Sequence, residues 1–80
     1  MNQTRARLIQ CFSAVFPDLG EDEIPQVARE SMANWDSLAN FSLIAVIEEE
    51  FGIRIDADDV DRFVSFGSVV EILQSKQPAA

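Results

Sequence analysis

The chain has 80 residues, of which 48% are hydrophobic and 25% charged, with one cysteine and no histidine. That composition is globular, and a chain this short supports one core, so a single domain over residues 1–80 is expected. The formal net charge of −8 disfavours nucleic acid and anionic membranes as partners, while the missing histidine and lone cysteine remove internal disulfides, the usual zinc sites and histidine-assisted nucleophiles.

Met1-Asn2-Gln3-Thr4-Arg5 leads into an amphipathic pattern instead of a continuous apolar signal core, so cytoplasmic residence is the expectation. Leu8, Cys11, Phe12 and Val15 recur at i, i+3, i+4 and i+7, which predicts a helix over residues 4–16, followed by Pro17. Cys11 lies in that stripe and reads as a small buried hydrophobe, not a reactive thiol. Periodicity then fades over residues 17–36. A structureless connection that long is unusual in a compact domain. Ile24, Val27, Met32 and Trp35 are therefore expected to pin it across the other helices, with a short turn of helix over residues 26–31.

The clearest helix follows Asp36. Leu43, Ile47 and Phe51 recur at i, i+4 and i+8, Val46 widens the stripe, and Gly52 ends it. The longest apolar run, residues 43–47, is broken by Glu48-Glu49-Glu50 and falls far short of the about 20 residues a membrane span needs. Ile53-Arg54-Ile55 alternates like a strand but is too short and unpartnered to build a sheet. Asp56 suits the cap of a short third helix containing Ala57, Val60, Phe63 and Val64. Ser65 suits the cap of a last helix that turns Val69, Ile72 and Leu73 inward before Gln77-Pro78-Ala79-Ala80 frays. The fold class is all-α, a small four-helix bundle with three main helices and a short third one.

Asp36-Ser37-Leu38 opens the central helix. If the Asp36 carboxylate accepts the orphan N–H of Leu38 or Ala39, Ser37 becomes the first helical residue and its hydroxyl faces solvent. A phosphodiester there would meet the positive end of the helix dipole, worth about 0.3–1 kcal/mol at an exposed site. No general base accompanies the serine, since histidine is absent and Asp36 is committed to backbone donors, so a serine hydrolase is not expected.

Trp35-Asp36-Ser37-Leu38, with Leu43-Ile44-Ala45-Val46-Ile47-Glu48-Glu49-Glu50-Phe51-Gly52-Ile53, resembles the central helix and following loop of the acyl carrier protein family. The resemblance continues through Ile55-Asp56-Ala57-Asp58-Asp59-Val60 and Phe66-Gly67-Ser68-Val69-Val70-Glu71-Ile72-Leu73. It covers about half the chain and implies that Ser37 carries a covalent 4′-phosphopantetheine arm derived from coenzyme A, flanked by Asp36 and Leu38. It further implies a phosphopantetheinyl transferase that installs the arm. Partner enzymes would then load, transfer or condense the acyl or aminoacyl cargo, so this chain would not itself be an enzyme.

Glu48, Glu49, Glu50, Asp56, Asp58, Asp59 and Asp61 form a negative flank opposed locally only by Arg54 and Arg62. The resemblance implies that Glu48, Glu49, Asp56 and Asp58 meet basic docking patches on partners, where complementarity chiefly raises on-rate. The sequence departs from the housekeeping fatty-acid pattern by placing Ala39 and Ser42 where acidic residues are expected. Leu38, Phe41 and Ala45 instead share a face near Ser37, with Phe41 read either as part of that patch or as partly core. This points to a carrier dedicated to a specialised fatty-acid or polyketide-type pathway, and a monomer is expected. An unmodified acidic helical adaptor binding a basic partner is the alternative. Asp56-Ala57-Asp58-Asp59-Val60-Asp61 does not fit a calcium loop, because Asp61 stands where the turn glycine belongs and Gly67 where a bidentate Glu is needed.

Overall fold

The computed structural model describes residues 3–76, so the expected fraying at Gln77-Pro78-Ala79-Ala80 lies outside the described residues. Four α-helices occur among them and no strand: α1 (Gln3–Val15), α2 (Ser37–Phe51), α3 (Ala57–Val60) and α4 (Phe66–Lys76). The apolar stripe of α1 places Leu8, Cys11 and Phe12 in the core, and Phe16 just beyond the helix is buried with them. This face packs chiefly on α2, which contributes Leu43, Ile44 and Ile47. From α4, Phe66, Val69, Val70, Ile72 and Leu73 close the interior. Phe51, expected inward, is only partly buried and has the Arg7 guanidinium 4.6 Å from its ring centroid.

The long connection is pinned as its apolar residues require. It carries two 3-10 turns, Ile24–Gln26 and Arg29–Ser31, where the sequence suggested one turn over residues 26–31. Extended backbone at Val27 and Ala28 separates them. Here the Arg29 N–H donates to the Val64 carbonyl at 2.7 Å and the Phe66 N–H donates to the Val27 carbonyl at 3.2 Å. An isolated antiparallel bridge between Ala28 and Ser65 results. Two segments that could not satisfy their own backbone groups thereby satisfy each other.

Trp35 at the end of this connection is 2% exposed and packs edge-on to Phe12, with centroids 5.5 Å apart. Phe12 also meets Phe66 at 5.4 Å, and Trp35 meets Phe16 at 5.8 Å. The two edge-to-face pairs, Phe12 with Trp35 and Phe12 with Phe66, each add about 0.5–1.5 kcal/mol beyond their buried area. The aromatic cluster therefore fixes where the chain enters α2.

α3 is shorter than the Ala57, Val60, Phe63, Val64 spacing suggested. It ends at Val60; Phe63 is buried from an irregular turn, and Val64 is 48% exposed. Asp56 occupies the cap position of α3 but makes no side-chain cap bond; its carboxylate lies 3.5 Å from Lys76 Nζ. Ser65 does cap α4: its Oγ accepts from the Ser68 N–H at 3.0 Å, and Ser68 Oγ accepts from the Ser65 N–H at 3.1 Å. This reciprocal arrangement satisfies two donors at once. The alternation at Ile53-Arg54-Ile55 forms no strand, since the Ile55 N–H is already taken by the Glu48 carboxylate.

Candidate functional site

Asp36 adopts an extended backbone (φ −94°, ψ −172°), and its Oδ1 accepts from the Ala39 N–H at 2.9 Å. Its carbonyl accepts from the Asn40 N–H at 2.9 Å. With both acceptors engaged by α2, Ser37 is the first residue of the helix and is exposed. Its hydroxyl has no hydrogen-bond partner among the described residues. At the other end Gly52 stops the helix at φ +64°, a left-handed conformation that disfavours any residue with a Cβ.

Leu38 is 77% exposed and Phe41 64%, so Phe41 belongs to the surface and not to the core. Ala45 is exposed as well. Spaced at i, i+3 and i+7, the three share the outer face of α2 beginning directly beside Ser37. A shallow groove adjoins this face, lined by Ala14 and Val15 of α1 and by Asp36, Leu38, Ser42 and Val46. An apolar surface next to an exposed hydroxyl is what an enzyme acting on that hydroxyl could grip.

Beneath Ser37 lies a polar contact that sequence reasoning missed. Asn40 is the only buried polar residue among those described, at 3% exposure. Its Oδ1 accepts from the Trp35 indole Nε1 at 2.9 Å, and Arg29 Nε donates to the Trp35 carbonyl at 3.0 Å. A signal for Asn40 existed, since it sits three residues before Leu43 and seven before Ile47 and so belongs to the buried stripe. Arg29 had none, because its contact depends on how the preceding connection folds.

The acidic flank is less uniform than its sequence. Glu49 and Asp58 are exposed. Glu48 is partly buried and accepts from the Ile55 N–H at 2.8 Å, bracing the α2–α3 loop. Glu50 pairs with Arg7 at 2.8 Å. Lys76 reaches Asp59 at 2.8 Å and Asp56 at 3.5 Å, and Arg62 lies 3.7 Å from Asp59. Hydrogen bonding to Lys76 holds the Asp59 carboxyl below its ordinary value, and the same bond raises Lys76. Arg7 and Lys76 therefore oppose the flank in addition to Arg54 and Arg62. The charge left for a partner is concentrated at Glu49, Asp58 and Asp61.

Cys11 is buried. Burial, reinforced by the Glu50 carboxylate and opposed by Arg7, pushes its thiol up to about 11. That agrees with the reading of an inert core residue. No group of three metal-ligating side chains occurs among the described residues, and no described helix is long and apolar enough to cross a membrane.

Comparison with known proteins places the chain beside an acyl carrier protein. Over 56 residues, the chain is 36% identical to an acyl carrier protein from Desulforapulum autotrophicum, covering 70% of this chain and 73% of that protein. No family model matches the chain, and no solved structure matches it significantly.

Proposed function

We propose, from the premise that this chain belongs to the acyl carrier protein family, that Ser37 holds a 4′-phosphopantetheine arm esterified through its hydroxyl. The family is one of carriers, and the chain is not itself an enzyme. The observation that carries the assignment is an exposed hydroxyl, without a hydrogen-bond partner among the described residues, on the first residue of a capped helix.

The residues present fit such a group. A phosphodiester on Ser37 would lie at the positive end of α2, where an anion gains about 0.3–1 kcal/mol. The neighbouring Asp36 carboxylate opposes it, but its Oδ1 is turned into the cap. When bound, the arm supplies a terminal thiol that holds cargo as a thioester. This chain supplies the rest: Asp36 presents the hydroxyl, Leu38, Phe41 and Ala45 give a transferase and later enzymes an apolar footing, and Glu49 and Asp58 orient those partners through their basic patches.

The departures from the housekeeping pattern at Ala39 and Ser42 favour a specialised fatty-acid or polyketide-type pathway, and the amphipathic start of the chain favours the cytoplasm. Incubation with coenzyme A, magnesium ion and a broad-specificity phosphopantetheinyl transferase tests the reading by intact mass. One phosphopantetheine added to the wild type and none to Ser37→Ala supports it. No addition with several such enzymes favours an unmodified adaptor instead.

A further inference from the structure

Residues 35–40 bracket Ser37 from both sides and are held from beneath by side chains that never reach the surface. Trp35 and Asn40 are respectively 2% and 3% exposed, and the indole-to-amide hydrogen bond joining them spans the exposed Asp36-Ser37-Leu38 segment. Three further bonds close the frame: Arg29 Nε to the Trp35 carbonyl, the Asn40 N–H to the Asp36 carbonyl, and the Ala39 N–H to Asp36 Oδ1. The indole itself is seated against Phe12 and Phe16.

Core packing alone does not call for this polar pair. A phenyl ring and a leucine could fill similar space, and a buried hydrogen bond adds little net stability over a well-packed apolar replacement. What the pair adds is direction: the bond forms only when the first turn of α2 has one rotation relative to Trp35. That rotation sets where the Ser37 hydroxyl points.

We infer that Trp35 and Asn40 are positioning residues, which act through the first turn of α2 to hold the Ser37 hydroxyl in the orientation that the modifying transferase requires. The inference rests on the assignment of Ser37 given above. A hydroxyl displaced by about 1 Å from its attacking position can slow a group transfer by about a hundredfold. Loss of the pair therefore affects turnover more than docking, because Leu38 and Phe41 stay exposed.

Trp35→Phe removes the donor and keeps an aromatic, though smaller, ring, Asn40→Leu removes the amide, and the double variant leaves neither group unpaired. The double variant is expected to melt within a few degrees of the wild type. Amide exchange at Ala39 and Asn40, whose N–H groups Asp36 accepts, should rise at least about tenfold, and transferase kcat should fall at least about tenfold with KM changed less than about twofold. A double variant with wild-type exchange and wild-type kcat overturns the inference. If it does not fold, Trp35→Phe alone decides, since a folded single variant with wild-type kcat overturns the inference equally. Wild-type protein that takes no arm overturns the Ser37 assignment and this inference with it. Wild-type protein modified no faster than its variants overturns only the positioning role.

Discussion

The Glu48 carboxylate accepts a hydrogen bond from the Ile55 backbone N–H at 2.8 Å, tying the last turns of α2 to the loop that leads to α3. This contact separates two neighbouring glutamates that look equivalent in the sequence. Glu48→Ala leaves the Ile55 N–H without its partner and should lower stability by about 1 kcal/mol in denaturant unfolding. Glu49→Lys changes an exposed side chain and should leave stability within about 0.5 kcal/mol. It should, however, slow association with partner enzymes and weaken its salt dependence. Stopped-flow association at several ionic strengths checks this, and steering by Glu49 is wrong if neither quantity moves.

Asp36 is expected to act through its cap. Asp36→Ala loses the Oδ1 acceptor for the Ala39 N–H and should lose about 0.5–2 kcal/mol, while Asp36→Asn, which retains an oxygen there, should keep most of the stability. Parallel denaturant titrations of both variants measure the difference.

Phe41 is 64% exposed, so Phe41→Ala should change unfolding free energy by no more than about 0.5 kcal/mol. As an anchor at a partner interface it should carry about 1 kcal/mol or more, lowering transferase kcat/KM roughly fivefold. Unchanged kinetics would remove Phe41 from the docking surface.

The Lys76–Asp59 pair gives a signed pH dependence. Asp59 is held below its ordinary value, so its contribution is present above that value and is lost as pH falls through the depressed one. Lys76 is raised, so its contribution is present below the ordinary lysine value and is lost as pH climbs through the raised one. The Tm difference between wild type and Lys76→Met should therefore be flat from about pH 5 to about pH 9 and shrink at both extremes. Thermal melts carried below and above that range check it, and a difference that grows toward acid would contradict the pairing.

How much of this was legible in the sequence follows from how local each signal is. α2 could be bounded from Asp36 and Gly52 because a cap and a left-handed stop act within one turn. Ser65 announced α4 for the same reason. The end of α3 could not be read, because Phe63 has helical spacing yet is buried from a turn that α4 holds in place through the Ser68 hydroxyl and the Arg62 carbonyl. Lys76 neutralising Asp59 and Arg7 meeting Glu50 join positions far apart in the chain, which no periodicity encodes. At the site, Ser37, Leu38 and Ala45 were legible as one end and one face of a helix. The Trp35–Asn40 bond beneath them was missed because a polar residue in an apolar stripe reads as an interruption until its partner is in place.

Every role proposed for the site depends on Ser37 carrying the arm. It is tested most directly on protein isolated from the cells that make it, by proteolysis and fragmentation of the peptide containing Asp36-Ser37-Leu38. Phosphopantetheine is expected on the Ser37 side-chain oxygen, with or without a thioester-bound acyl group. A fully unmodified Ser37 in that protein, or the arm on another residue, would contradict it.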